Sequence, residues 1–190
     1  MSVHVHVHVL ALVGSLRSGS HNRQLAEAAV KHAPEGVEVT LYEGLAEVPF
    51  YNKDIDTDER RPTAAIRLRE AAARADAFLL VTPEYNGTMP AVLKNAIDWL
   101  SRPFGSSALV GTPTAVVGTA FGQYGGVWAQ DDARKSAGIA GATILEDAKL
   151  AIPGSVTRFA ETHPADDTEA VAQLRQVLSA LAATVEAPES

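Results

Sequence analysis

Short apolar runs alternate with amphipathic stretches along this 190-residue chain, and that alternation limits the fold more than any other feature. Val7–Val13, Val37–Tyr42, Ala77–Val81, Thr114–Val117 and Ala142–Leu145 read as five strands. The Ala77–Val81 run has no polar break and suits a central strand buried on both faces. Helices are expected between them. The first runs from a cap at Ser20 or Asn22 to about Ala33, with Leu25, Ala29 and Val30 on one face. Two more start at prolines, Pro62 to about Ala75 and Pro90 onward, where a missing N–H costs nothing. The helix after Pro90 carries a stripe of Val92, Leu93, Ala96, Ile97 and Leu100. Val127–Ile139 and Thr168–Val185 complete five helices, and residues 43–61, rich in acids, read as a long surface loop. Strand–helix order of this kind predicts an α/β doubly wound sheet forming a single domain over residues 1–190. Such sheets place ligands outside the carboxyl ends of their strands.

Composition removes several functions. With no cysteine there is no disulfide, no thiolate nucleophile and no Cys-ligated zinc, so any redox work needs a bound organic cofactor. A net charge of -7 without a basic block argues against nucleic acid. No apolar stretch is long enough for a membrane span, and the N-terminus lacks the pattern of a signal peptide, so a cytoplasmic protein is expected.

Three loops follow strand ends. Gly14-Ser15-Leu16-Arg17-Ser18-Gly19-Ser20-His21-Asn22 joins the first strand to its helix. Backbone N–H groups at a helix start, hydroxyls and the forked guanidinium of Arg17 suit a terminal phosphate. The same residues would also serve as a polar turn with a helix cap. The spacing is neither a Walker A loop nor G-x-G-x-x-G. After the third strand comes Thr82-Pro83-Glu84-Tyr85-Asn86-Gly87-Thr88-Met89-Pro90. Its Asn86-Gly87 pair permits positive φ, and Tyr85 offers a flat face. The third loop, Gly118–Gly126, ends in a glycine pair that lets backbone approach a ring closely.

The first loop, taken with Pro83-Glu84-Tyr85-Asn86-Gly87, Pro90 and Leu93-Lys94-Asn95-Ala96-Ile97-Asp98-Trp99, resembles the NADPH-dependent FMN reductase family, relatives of chromate, quinone and azo-dye reductases. The resemblance covers about residues 5–150. It implies a flavodoxin-like five-stranded parallel sheet of order 2-1-3-4-5 with helices on both faces. It implies that Ser15, Arg17, Ser20 and Asn22 grip the phosphate of FMN. Pro83, Glu84, Tyr85, Asn86 and Gly87 would line the isoalloxazine ring, and Gly125 and Gly126 would lie beside its pyrimidine edge. Tyr124 would flank the ring or the incoming nicotinamide. The implied activity is hydride transfer from NADPH or NADH to FMN and on to a small acceptor, with no catalytic side chain. A flavodoxin-type electron carrier that oxidises no nicotinamide is the alternative. The family also implies a homodimer or homotetramer, with Lys94, Asp98 and Trp99 at the interface.

Other features point less far. His4, His6 and His8 alternate with valines and would share a face, though an extension of the strand is the simpler reading than a metal site. Asp54–Glu59 imitates the start of a calcium loop, but Glu59 stands where glycine is needed and Ala65 where the closing glutamate is needed. Pro49–Asp54 is expected to border the site.

Overall fold

The computed structural model describes residues 6–187. In it β1 (Val7–Val13), β2 (Val37–Leu41), β3 (Ala77–Val81), β4 (Pro113–Thr119) and β5 (Thr143–Ile152) form one parallel sheet in the order β2-β1-β3-β4-β5. Around it lie α1 (His21–Lys31), α2 (Thr63–Ala73), α3 (Ala91–Leu100), α4 (Val127–Ile139), the single turn α5 (Ser155–Arg158) and α6 (Thr168–Glu186).

The unbroken apolar strands are explained by two cores, one on each face. Val7, Val9, Ala11 and Val13 alternate toward Leu25 and Ala29 of α1 and Leu174 and Leu178 of α6. Leu10 and Leu12 turn the other way, with Phe78 and Leu80, toward Leu68 of α2, Leu93 of α3 and Ala129 and Ala133 of α4. This is the two-residue period of a strand covered on both sides, and each fully buried large aliphatic contributes about 1.5–3 kcal/mol.

Several details depart from expectation, the extra single-turn helix α5 among them. Val30 is exposed, and α1 instead buries Leu25, Ala26, Ala28 and Ala29. β5 continues to Ile152 rather than ending at Leu145, because it is an edge strand whose Glu146, Asp147 and Lys149 hide it from an apolar-run criterion. Its register also slips: Thr114 pairs with Ile144, yet Val116 pairs with Lys149. At that slip the buried Arg134 of α4 donates from Nη2 to the Val116 carbonyl at 2.9 Å. Trp99 is fully buried inside the chain, so it cannot itself meet a second subunit.

The stretch 43–61 is anchored rather than loose. It holds two short 3₁₀ turns, Leu45–Glu47 and Lys53–Ile55, and buries Leu45 and Val48. Asn95 of α3 pegs it with three bonds: Oδ1 accepts from Tyr51 N at 2.8 Å, and Nδ2 donates to Val48 O and Pro49 O. Trp99 Nε1 donates to Pro49 O at 2.7 Å. Further along, the nearly buried Asp56 carboxylate receives both Nη atoms of Arg69 and Nε of Arg61. These hydrogen bonds, Arg69 foremost, hold its pKa down at about 2.

At the opposite end of the sheet, both ring nitrogens of His8 have partners, Arg74 O and Thr40 Oγ1, and His6 Nε2 meets Glu38. His4 lies outside the described residues.

Asp56 gives a pH prediction. Its folded pKa lies below its ordinary value of 3.8, so its contribution is complete above about pH 5 and is lost as the pH falls toward 2. Urea unfolding of wild type should lose about 2 kcal/mol more between pH 5 and pH 2 than Asp56→Asn does. Parallel pH profiles for the two proteins would contradict the ion-pair assignment.

Candidate functional site

Because Val13 pairs with Val81 and Val81 with Val117, the loops after β1, β3 and β4 emerge side by side. The strands stay closed to their ends: Gly14 N donates to Val81 O and Thr82 N to Val117 O. Gly118 allows the last step. A β-carbon there would sit 2.1 Å from the Thr82 carbonyl oxygen, so only glycine lets β4 lie this close to the turn after β3.

The loop after β1 presents donors that the protein itself does not use. Among the described residues, no acceptor takes the backbone N–H of residues 15 to 19. Ser15 and Ser20 are buried beneath them, and the Ser20 hydroxyl caps α1 by accepting from Arg23 N. Arg17 is exposed and its guanidinium donates to no described residue, whereas Arg23 is spent on Glu43 at 2.6 and 2.7 Å and on Glu27 at 3.0 Å. His21, at the first position of α1, is held below its ordinary pKa by burial and then by Arg17, so it is neutral at pH 7. One unspent guanidinium, a row of open amides and the positive end of α1 together make a donor set whose chemistry suits a dianion.

Asn22 stands under this loop and is engaged elsewhere. Its Oδ1 accepts from Thr119 N at 2.9 Å and its Nδ2 donates to Thr119 O at 2.8 Å. The expected phosphate contact therefore meets a competing use, a clamp between the first turn of α1 and the end of β4. Thr119 in turn donates from Oγ1 to Ile152 O at 2.8 Å, which carries the clamp on to β5.

In the loop after β3, Asn86 (φ 55°) and Gly87 (φ 78°) both adopt left-handed backbone. Tyr85 and Thr88 exchange bonds around them, Tyr85 N to Thr88 O at 3.0 Å and Thr88 N to Tyr85 O at 3.2 Å. This is a tight two-residue turn of the kind that Asn-Gly favours. It leaves the amides of Asn86 and Gly87 without acceptors among the described residues, with Tyr85 half exposed and Pro83 buried. The Glu84 carboxylate turns away to accept from Ala129 N of α4 at 3.2 Å, so what this residue can offer a ligand is its backbone. Thr88 Oγ1 donates to Asp132, a second tie to α4.

In the loop after β4 the amides of residues 121 to 124 and of Gly126 have no acceptor among the described residues. Gly125 and Gly126 are both left-handed, but for different neighbours. A β-carbon on Gly125 would come 2.7 Å from the backbone of Ala151, so this glycine is demanded by β5. One on Gly126 would lie 3.6 Å from Glu84 Cβ, beside the turn after β3. Tyr124 is half exposed next to them. The expected residues are thus gathered along one rim. Sequence reasoning missed Thr119, and it passed over Gly118, although an isolated glycine in a strand pattern is itself a sign of close backbone approach.

A parallel sheet of this order, with open amides on the loops at its switch point, defines a flavodoxin-like protein. The chain belongs to the NADPH-dependent FMN reductase family, whose sequence profile matches residues 7–157. It is 39% identical over 159 residues to a quinone reductase of Pseudomonas putida, covering 84% of each protein. To an NAD(P)H-dependent FMN reductase of Pseudomonas aeruginosa it is 41% identical over 130 residues, 68% of this chain and 69% of the relative. Among solved structures, the flavoenzyme NAD(P)H:(acceptor) oxidoreductase FerB of Paracoccus denitrificans superposes with a TM-score of 0.83 at 31% identity, covering 95% of this chain and 97% of that one.

The close approach at Gly118 can be tested alone. Gly118→Ala should cost about 3 kcal/mol of unfolding free energy in urea, the upper range for forcing a methyl into packed structure. Wild-type stability in that variant would contradict the approach of β4 to the Thr82 carbonyl.

Proposed function

We propose that this protein is an NAD(P)H-dependent, FMN-containing oxidoreductase that passes electrons to a small acceptor of the quinone type. The observation that carries the reading is the row of unspent amides at residues 15 to 19 beside an unspent Arg17. That donor set fits a terminal phosphomonoester, which brings near two negative charges and several acceptor oxygens. When bound, FMN supplies the redox chemistry, accepting hydride from the nicotinamide and giving electrons to the acceptor.

The chain's own part is to bind and orient. Ser15, Arg17 and Ser20, with the loop amides, hold the phosphate, while Asn22 keeps the floor of that loop fixed to β4. Pro83, Glu84, Tyr85, Asn86 and Gly87 border the ring on one side through backbone and the Tyr85 face. Tyr124, Gly125 and Gly126 border it on the other. Open amides on both turns provide donors for negative charge that develops during reduction. No side chain acts as nucleophile or acid–base catalyst in this reading.

Assembly as a homodimer or homotetramer in the cytoplasm belongs to the same proposal. Lys94 and Asp98, paired at 2.6 Å on the outer side of α3, remain candidates for the interface; no described helix is long and apolar enough to cross a membrane.

The test is a visible spectrum followed by anaerobic titration with NADH and with NADPH. A yellow protein bleached by either nicotinamide is expected. Yellow protein that neither nicotinamide bleaches would be an electron carrier instead, and colourless protein that refuses FMN would end the proposal. Arg17→Ala should raise the Kd for FMN roughly ten- to hundredfold, the value of a charged hydrogen-bonding group. An unchanged Kd would remove Arg17 from the phosphate site.

A further inference from the structure

Two exposed aromatic side chains at the rim pair with each other and, among the described residues, with no other aromatic ring. Tyr124 is 55% exposed and Trp128, the second residue of α4, is 54% exposed. Their ring centroids lie 5.4 Å apart with the planes tilted by 58°. Exposed aromatics of this size forgo burial that would stabilise the fold, and a tryptophan beside a tyrosine offers a broad π surface.

Their position is fixed. The residue after Trp128, Ala129, donates its N–H to the Glu84 carboxylate, and Asp132 accepts from Thr88. Both bonds tie the first turns of α4 to the turn after β3. Gly126, two residues before Trp128, has its Cα hydrogen side against Glu84. The pair therefore stands on a rigid rim shared by two of the three loops of the site.

We propose that Tyr124 and Trp128 form a stacking wall that selects planar aromatic electron acceptors, with Trp128 as the residue that sets this preference. The inference rests on the oxidoreductase reading of the site and narrows its acceptor class. A flat, electron-poor ring such as a naphthoquinone gains from stacking on an electron-rich aromatic face, whereas a compact octahedral ion such as ferricyanide presents no plane to stack. Aromatic pairing of this kind is worth a few-fold to about tenfold in binding.

The chain carries two tryptophans, which makes the test direct. Trp99 is fully buried and its Nε1 is bonded to Pro49 O, so acrylamide-accessible emission belongs to Trp128. Naphthoquinone added to the flavin-loaded protein without nicotinamide should quench that emission saturably, and Trp128→Phe should abolish the saturable part. In turnover, the ratio of kcat/KM for naphthoquinone to kcat/KM for ferricyanide should fall about tenfold in Trp128→Ala and recover most of its value in Trp128→Phe. An unchanged ratio, purely collisional quenching, or the same saturable quenching in Trp128→Phe would overturn the proposal. So would a Trp128 that acrylamide cannot reach because a second copy of the chain covers it. Wild type that reduces neither acceptor would defeat the oxidoreductase reading, and the quenching arm would still decide whether the aromatic wall binds.

Discussion

The site depends on one side chain that is not exposed to it. Asn22 uses both ends of its amide on the backbone of Thr119, 97 residues later in the chain. Through that pair the first turn of α1 is held against the end of β4, and the loop between β1 and α1 is stretched over the junction with its N–H groups turned to no acceptor of its own. Gly118 makes the same closure possible from below by removing the β-carbon that would strike the Thr82 carbonyl. Buried amide–backbone bonds of this kind are costly to break, since losing Asn22 would leave both groups of Thr119 unpaired. Asn22, Thr119 and Gly118 thus fix the geometry of the loop after β1 from within the fold.

Charge follows the same economy. The chain is acidic overall, yet the Arg17 guanidinium stands unspent on the first loop while Arg23 near it is tied to Glu27 and Glu43. Burial and then Arg17 hold His21 below its ordinary pKa, and the helix end contributes its dipole. The opposite rim is apolar and aromatic, with Tyr85, Phe121, Tyr124 and Trp128 all more than a third exposed. The rim is thus polar at one end and flat-faced at the other, the arrangement on which the proposed FMN site rests.

How much of this was legible in the sequence depends on which physical signal each part leaves. β1 and β3 are apolar throughout, and their limits fall at Val7–Val13 and Ala77–Val81 as the runs predict. β5 lies at an edge, mixes Glu146, Asp147 and Lys149 into its face and slips register, so only its first residues carry an apolar signature. The Asn86-Gly87 turn was readable because that dipeptide favours left-handed backbone at both positions. The clamp was not: an asparagine in a polar loop looks like a ligand or a cap, and nothing local reveals a partner on another strand. Gly125 shows the same limit in reverse. Its demand for glycine comes from contact with Ala151, a packing fact that a glycine pair cannot announce. Trp128 followed an expected helix start, where an aromatic is most simply core, and only its exposure marks it as more.

A comparison of FMN with riboflavin isolates the receptor, because the two ligands share the ring and ribityl chain and differ only in the phosphate. Calorimetric titration of flavin-free protein should give a Kd for FMN lower than that for riboflavin by about a thousandfold, the expected worth of two or three charge-assisted hydrogen bonds. Equal affinities would mean that the open amides and Arg17 recognise no phosphate, and the site would have to be sought elsewhere on the sheet.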